Sequence, residues 1–129
     1  MPPSITAIYA SLLALLFLGL SAWVIRGRYA FRVSQGDGGE ALLARRIRAH
    51  GNCAEYAPIG VLMLLLAELQ GMSPALLHLF GLMLVAGRLS HAIGFGRTPQ
   101  ISRLRIAGMV LTVVAITLAA IGNLVLAIF

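Results

Sequence analysis

The stretch ITAIYASLLALLFLGLSAWVI, residues 5–25, runs for 21 residues without a charged side chain. About 20 predominantly apolar residues allow a helix to cross a hydrocarbon core of about 30 Å. Three more apolar stretches follow it along the chain. The sequence therefore predicts an all-α membrane protein, a four-transmembrane-helix bundle in a single domain of residues 1–129. Its helices are predicted at roughly residues 4–26, 40–70, 74–95 and 103–128.

The composition supports a membrane protein and excludes several other classes. Of 129 residues, 60% are apolar and 11% are charged, whereas soluble domains have about 45–50% and about 25%. This excludes a water-soluble globule, a disordered tail and a collagen-like chain. The single cysteine excludes an intrachain disulfide and a cysteine-cluster metal site. The three histidines lie too far apart in sequence for a local metal motif, so we expect no metal.

The net charge of +6 comes from ten arginines, without any lysine. They lie between or at the ends of the apolar stretches instead of on a polar surface, so we expect no nucleic-acid partner. All ten flank the first or the third connection between helices, and the positive-inside rule places these two connections in the cytoplasm and both termini outside. The arginines are Arg26, Arg28, Arg32, Arg45, Arg46 and Arg48 around the first connection, and Arg88, Arg97, Arg103 and Arg105 around the third.

The second apolar stretch has an unusual polar end. Only 12 uncharged residues separate Glu55 from Glu68, so the helix must begin near Ala41 to span the membrane. It then brings charged groups into or near the bilayer, at a cost of at least about 2.5–3.5 kcal/mol each. Helical periodicity predicts that five of its polar residues share one face. These are Arg45, Arg48, Asn52, Glu55 and Tyr56.

Two interpretations of this polar face are open. In the first, Glu55 pairs with an arginine and the other side chains extend to the headgroups. In the second, the excess of ten arginines over three nearby carboxylates (Asp37, Glu40 and Glu55) attracts an anion, either lipid phosphate or a small ligand with several charges. The third helix adds Arg88 and His91 on one face, and Arg103 and Arg105 stand at the start of the fourth. We favour the small ligand.

Other polar and small residues are expected to be structural. Glu68 is predicted to be a solvated helix terminus, His78 an interfacial residue and Cys53 a packing residue. Small residues recur every seven positions on the fourth helix, which allows close helix packing. The sequence leaves open whether this stripe packs within the chain or between copies. The stripe consists of Gly108, Ala115 and Gly122.

Three segments resemble the MAPEG family, the membrane-associated proteins in eicosanoid and glutathione metabolism. RIRAHGNCAEYAP at residues 46–58 is the most specific, and GRYAFRVS at 27–34 and GRLSHAIGF at 87–95 are weaker. They are similar to segments of leukotriene C synthase, microsomal glutathione transferases and prostaglandin E synthase, and most of all to bacterial members. The resemblance implies a multi-pass protein of the bacterial inner membrane. It also implies a homotrimer that binds glutathione between subunits at the cytoplasmic side.

The resemblance also implies roles for individual residues. Arg105, or else Arg103, matches the arginine that stabilises the glutathione thiolate. Phe95 stands where several members have a ligand-binding tyrosine, so one hydroxyl contact is missing. Arg28 and His50 match positions that line the site from the adjacent subunit. The remaining predicted substrate-binding residues are Arg48, Asn52, Glu55, Tyr56, Arg88 and His91.

The residue types suit this chemistry. Arginines bind the two carboxylates of glutathione by charge-assisted hydrogen bonds, Glu55 offers a partner for its ammonium, and a guanidinium favours the thiolate over the thiol. We therefore predict a glutathione-dependent membrane transferase, with peroxidase activity as a further reaction, that acts on a lipophilic electrophile. Phe95 motivates an alternative, a non-catalytic protein that binds lipids or a partner. A small transporter with Glu55 as its coupling carboxylate is a third hypothesis.

Overall fold

A computed structural model describes residues 3–129, and this part of the chain is helical apart from its connections. The helices are α1 (Ser4–Phe31), α2 (Ala41–Leu69), α3 (Pro74–Gly96) and α4 (Ser102–Ile128). Each is long and apolar enough to cross a membrane. The prediction of an all-α membrane protein with four spanning helices is therefore confirmed.

The end of α1 differs from the prediction, because the helix continues five residues past Arg26 to Phe31. Arginine side chains extend to the headgroups while their stems cover apolar surface, so the helix need not end with its apolar stretch. It ends at Arg32, which adopts the left-handed conformation with φ of 56°. The backbone N–H groups of Arg32 and Val33 then donate to the last carbonyls of α1, which ends the helix in a compact cap.

The two middle helices form the centre of the bundle. α2 and α3 each contact all three other helices, whereas within residues 3–129 α1 and α4 do not contact each other. Large apolar side chains such as Leu15, Leu18 and Ile121 remain exposed on the outer faces, where lipid can cover them. The arginine-flanked connections, residues 32–40 and 97–101, lie together at one end, called here the arginine-rich end. The turn at residues 70–73, the start of α1 and the end of α4 lie at the opposite end.

Close contact between α3 and α4 depends on glycines. A Cβ atom on Gly87 would lie 2.8 Å from the carbonyl oxygen of Gly108, and one on Gly108 would lie 2.6 Å from the backbone nitrogen of His91. Farther along the predicted stripe, Ala115 is fully buried and Gly122 faces Met72. The stripe therefore packs within the chain, which answers the question that the sequence left open.

The opposite end corrects the expectation for Glu68. Its carboxylate accepts hydrogen bonds from the backbone N–H groups of Ile5 and Thr6, at 2.9 and 2.6 Å. These N–H groups belong to the first turn of α1, which has no cap from its own N-cap side chain. Glu68 is thus a cap contributed by another helix, where the positive end of the helix dipole favours a carboxylate. Nearby, the Tyr9 hydroxyl and His78 Nδ1 form a 2.8 Å hydrogen bond.

Candidate functional site

Arg88 lies at the centre of the polar cluster at the arginine-rich end. Only 2% of its surface is exposed. Its Nε donates to Thr112 Oγ1 at 2.8 Å, its Nη1 donates to Asn52 Oδ1, and its Nη2 contacts Met109 Sδ at 3.2 Å. Its guanidinium also lies 5.3 Å from the ring centre of Tyr56. Arg88 therefore links α2, α3 and α4 through neutral partners.

Two residues that are predicted to contact the ligand, Arg88 and Asn52, form a hydrogen bond with each other. Asn52 is buried and accepts a hydrogen bond from Arg88, so neither side chain stands free on the surface. Their predicted role as direct glutathione contacts stays a prediction. In the structure Arg88 and Asn52 position a neighbouring residue. The Arg88 guanidinium, held by Asn52, packs against the aromatic face of Tyr56 in a cation–π interaction.

Arg48 and Glu55 form an exposed ion pair two turns apart on α2. The Arg48 Nη1 to Glu55 Oε1 distance is 3.3 Å, and the two side chains are 61% and 53% exposed. The pair matches the first interpretation of the polar face, in which Glu55 is neutralised within the chain. An exposed pair contributes only about 0–1 kcal/mol to stability. Arg48 and Glu55 therefore cost little to separate when a ligand offers each of them a better partner.

His91 and Arg105 line one groove between α3 and α4. The groove has a volume of about 390 Å³, and Ile106, Met109 and Val110 form its apolar part. Arg105 Nη1 donates to Gln100 Oε1 at 2.6 Å. Its Nε is buried and has no hydrogen-bond acceptor among the described residues. Arg105 thus lines a largely apolar groove, and one nitrogen of its guanidinium is buried without an acceptor in the described chain.

His91 is buried, and Arg105 of α4 lines the same groove. Arg88 is one turn before His91 on α3, and Arg48 lies one turn from Asn52, the partner of Arg88, on α2. The helices α2, α3 and α4 thus each contribute a guanidinium group to this cluster. The only carboxylate that pairs with any arginine within residues 3–129 is Glu55, on Arg48. The cluster therefore has an excess of positive charge, as an anion-binding site requires.

The structure distinguishes the two candidate arginines of α4. Arg103 is exposed and does not line the groove, whereas Arg105 is half-buried and does. The Arg105 guanidinium lies 4.0 Å from the centre of the Phe95 ring. Phe95 therefore supports Arg105 by a cation–π contact at the position where the resemblance implied a tyrosine.

Two predicted site residues lie apart from this cluster. His50 faces α1, where its Nε2 and Ser21 Oγ form a 2.9 Å hydrogen bond and its ring packs 4.6 Å from that of Phe17. Arg28 Nη1 donates to the backbone oxygen of Gly36 at 2.9 Å. Within one chain, therefore, α1 and its connection do not complete the cluster on α2, α3 and α4. The assignment of Arg28 and His50 to the neighbouring subunit's site stays a prediction.

Sequence reasoning missed the residues that hold the cluster. Thr112 accepts from Arg88 and itself donates to the Gly108 carbonyl at 2.8 Å. One signal was available, because Thr112 is one turn past Gly108 and thus on the small-residue face of α4. Gln100, the partner of Arg105, lies in a connection and gives no periodic signal. Among the described residues, no three His, Cys, Asp or Glu side chains come together as a metal site would require.

The sequence of the chain is similar to known proteins over most of its length. The model of the MAPEG family matches residues 6–125. The chain belongs to the MAPEG family. It is also 41% identical to the inner membrane protein YecN of Escherichia coli K12 over 120 residues, which cover 93% of this chain and 90% of YecN. YecN of Escherichia coli O6:H1 strain CFT073 gives the same values.

The family and the four spans together identify a multi-pass protein of the inner membrane. The residues of the cluster all fall inside the part matched by the MAPEG model, as do the three segments that suggested the family. The name YecN specifies a location and no reaction. The chemistry of its own site is therefore the guide to the activity of this MAPEG protein.

Proposed function

We propose that this MAPEG protein is a glutathione transferase that joins the glutathione thiolate to a lipophilic electrophile. The observation that carries the proposal is the placement of Arg105, which has a buried nitrogen without an acceptor among the described residues and lines a groove with His91 and apolar side chains. A charged donor without an acceptor in such a place favours an anionic ligand atom, and a thiolate sulfur is one.

The rest of the cluster matches the other groups of glutathione. The tripeptide has two carboxylates, one ammonium and one thiol. We assign a carboxylate to Arg48, the ammonium to Glu55, and the thiolate to Arg105. Because Arg48 and Glu55 already pair at 3.3 Å, they offer opposite charges side by side, as the charged terminus of an amino acid requires. Arg88 and Asn52 hold this surface from beneath.

The residues of this cluster account for the bond-forming step of the proposed reaction. The thiol loses its proton to water, since a guanidinium is already fully protonated and cannot accept one. The thiolate sulfur then attacks an electrophilic carbon of the acceptor, a C–S bond forms and the leaving group departs with its electron pair. Ile106, Met109 and Val110 give the acceptor an apolar path from the bilayer into the groove. We expect a peroxidase reaction beside it. The same thiolate attacks the terminal oxygen of a lipid hydroperoxide, the O–O bond breaks, and the lipid alcohol leaves with its electron pair after taking up a proton. A second glutathione then reacts with the resulting sulfenic acid and gives glutathione disulfide and water.

We further propose that the protein works as a homotrimer with its site at the cytoplasmic side. Arg28 and His50 lie apart from the cluster in one chain, so a neighbouring copy is needed to complete the site. The positive-inside rule favours the cytoplasm for the arginine-rich end and the outside for both termini. Crosslinking in the membrane and the labelling of cysteines introduced at each end would test the two statements separately.

Calorimetric titration with glutathione of the full chain, purified in detergent, tests the central proposal. We expect binding in the millimolar range or tighter, a loss of about tenfold or more for Arg48→Ala, and a similar loss for Glu55→Gln. Neither change should alter thermal stability by more than about 1 kcal/mol, because the pair is exposed. Arg26→Gln, an exposed arginine of α1 outside the cluster, is the matched control.

Two results separate the proposal from its alternative. Conjugation of glutathione to an aryl halide in proteoliposomes supports the transferase. Binding without any turnover supports a non-catalytic glutathione-binding protein. Absence of binding at millimolar glutathione, or equal loss in Arg48→Ala and in Arg26→Gln, would refute both.

A further inference from the structure

A second pair of arginines, on α2, lines a cavity that Phe95 separates from Arg105 of the proposed glutathione site. A cavity of about 200 Å³ opens at the arginine-rich end between α1, α2 and α3. We call it the arginine cavity. It is lined by Trp23, Leu42, Arg45, Arg46, Phe95 and Thr98. Neither Arg45 nor Arg46 has a part in the proposed transferase reaction.

One guanidinium of this cavity lacks a partner. Arg45 Nη1 is buried and has no hydrogen-bond acceptor in the part of the chain that the structure describes. Burial removes water from a charged N–H donor, so such an atom needs an acceptor from elsewhere. An anion bound in the cavity that Arg45 lines would supply an acceptor for its guanidinium.

The second guanidinium is held in place by the protein. Arg46 Nη1 donates to the backbone oxygen of Trp23 at 3.0 Å, and its guanidinium lies 5.1 Å from the centre of the Trp23 ring. These contacts are neutral, so they fix the position of the Arg46 charge without cancelling it. No carboxylate within residues 3–129 comes within 4.0 Å of either arginine.

Two more features favour an anion. Leu42 in the lining belongs to the first turn of α2, so the cavity adjoins a helix N-terminus, and α2 has no side-chain cap there. Unpaired N–H groups at such a terminus favour negative charge. Thr98 also lines the cavity, and its hydroxyl can donate to an oxygen.

We propose that the arginine cavity is a binding site for a phosphate group. A guanidinium group matches phosphate oxygens with parallel N–H donors. The cavity volume equals that of roughly seven water molecules at about 30 Å³ each, which accommodates one phosphate group and little more. The group can belong to a phospholipid headgroup, since the arginine-rich end lies at a membrane surface, or to free inorganic phosphate.

The test measures thermal unfolding of the full chain in detergent with added inorganic phosphate or with a short-chain phosphatidylglycerol. Inorganic phosphate is compared with chloride at equal ionic strength, and phosphatidylglycerol with a short-chain diacylglycerol, which has the same acyl chains and no phosphate group. A ligand that binds the folded state raises the unfolding temperature. We expect a rise for one of the two phosphates, at least about tenfold weaker apparent affinity in Arg45→Gln, and partial retention in Arg45→Lys. Arg26→Gln should behave as the wild type.

The outcomes distinguish the sources and the sites. A response to inorganic phosphate that depends on Arg45 supports the proposal with a soluble ligand. A response to phosphatidylglycerol alone, with the same dependence, supports it with a lipid. A response that disappears in Arg48→Ala and persists in Arg45→Gln belongs to the glutathione site and overturns the proposal. So does the absence of any response to either phosphate. If Arg45→Gln fails to fold, the rise in unfolding temperature is measured in Arg45→Lys and Arg46→Lys instead. A weaker response to phosphate in these variants than in the wild type supports the proposal, and an unchanged response in both overturns it.

Discussion

The two ends of the bundle satisfy their polar groups in different ways. At the opposite end, Glu68 caps α1, and Tyr9 pairs with His78. Asn123 there accepts from Gln70 and donates to the Met63 carbonyl. At the arginine-rich end, buried nitrogens of Arg45 and Arg105 lack an acceptor among the described residues. At the opposite end the buried side-chain atom without a partner in the described chain is a neutral hydroxyl, Thr6 Oγ1. The difference is therefore one of charge, because the unpaired buried groups at the arginine-rich end belong to guanidinium ions, which favour anionic partners.

The largest effect on the difference between the two ends is expected from replacing Arg105, the proposed partner of the thiolate. Arg105→Ala should lower the turnover number for aryl halide conjugation by about 10²–10³-fold, the usual cost of losing one electrostatic contact to a reacting anion. Steady-state kinetics in proteoliposomes measures it. Arg103→Ala is the matched control, since Arg103 is exposed and outside the groove. Equal losses in both variants would contradict the assignment.

The next effect concerns Arg88, whose three guanidinium nitrogens all have partners within the chain. Arg88→Met should destabilise the protein by about 3 kcal/mol, because Asn52 and Thr112 lose a buried charged donor. Unfolding followed by circular dichroism during an SDS titration measures it. Arg26→Gln should leave the curve unchanged. A stable Arg88→Met protein would show that Arg88, like its neighbours, is held for a ligand and not for the fold.

A smaller effect is expected where α3 and α4 touch. Gly108→Ala would place a methyl group against the backbone of Gly87 and His91, so the helices must separate. We expect a loss of about 2 kcal/mol in the same SDS titration, typical of overpacking, together with weaker glutathione binding because His91 moves. Gly19→Ala is the control, since nothing lies within 4 Å of its added Cβ. That variant should be as stable as the wild type or slightly more so.

The smallest effect tests the opposite end. Glu68→Ala removes the acceptor for the N–H groups of Ile5 and Thr6 and should cost about 1 kcal/mol, the usual value of a helix cap. Glu68→Gln, which keeps an oxygen, should cost less. Glutathione binding, measured by calorimetry, should not change in either variant. A large loss of binding would show that the two ends are coupled and would break the comparison.

The polar face of α2 shows how far sequence reasoning reached and where it stopped. The spacing of Arg48, Asn52 and Glu55 places them on one side of the helix whatever the helix packs against. It does not say which of them another helix will cover. In the structure Asn52 is buried against Arg88, while Arg48 and Glu55 stay exposed and pair with each other. The position of α3 thus decides which residues of this face are buried and which remain exposed.

The sequence by itself determined the four apolar spans, the concentration of arginines at one end and the membership in the MAPEG family, because these depend on composition, local order and short motifs. Only the tertiary structure decided that Arg105 and not Arg103 lines the groove, that Glu68 caps α1 and that Arg45 lines a cavity between three helices. Each of these depends on contacts between helices that are distant in sequence. Helical periodicity fixes a residue's neighbours on its own helix, whereas the residue that faces it across the bundle is set by packing.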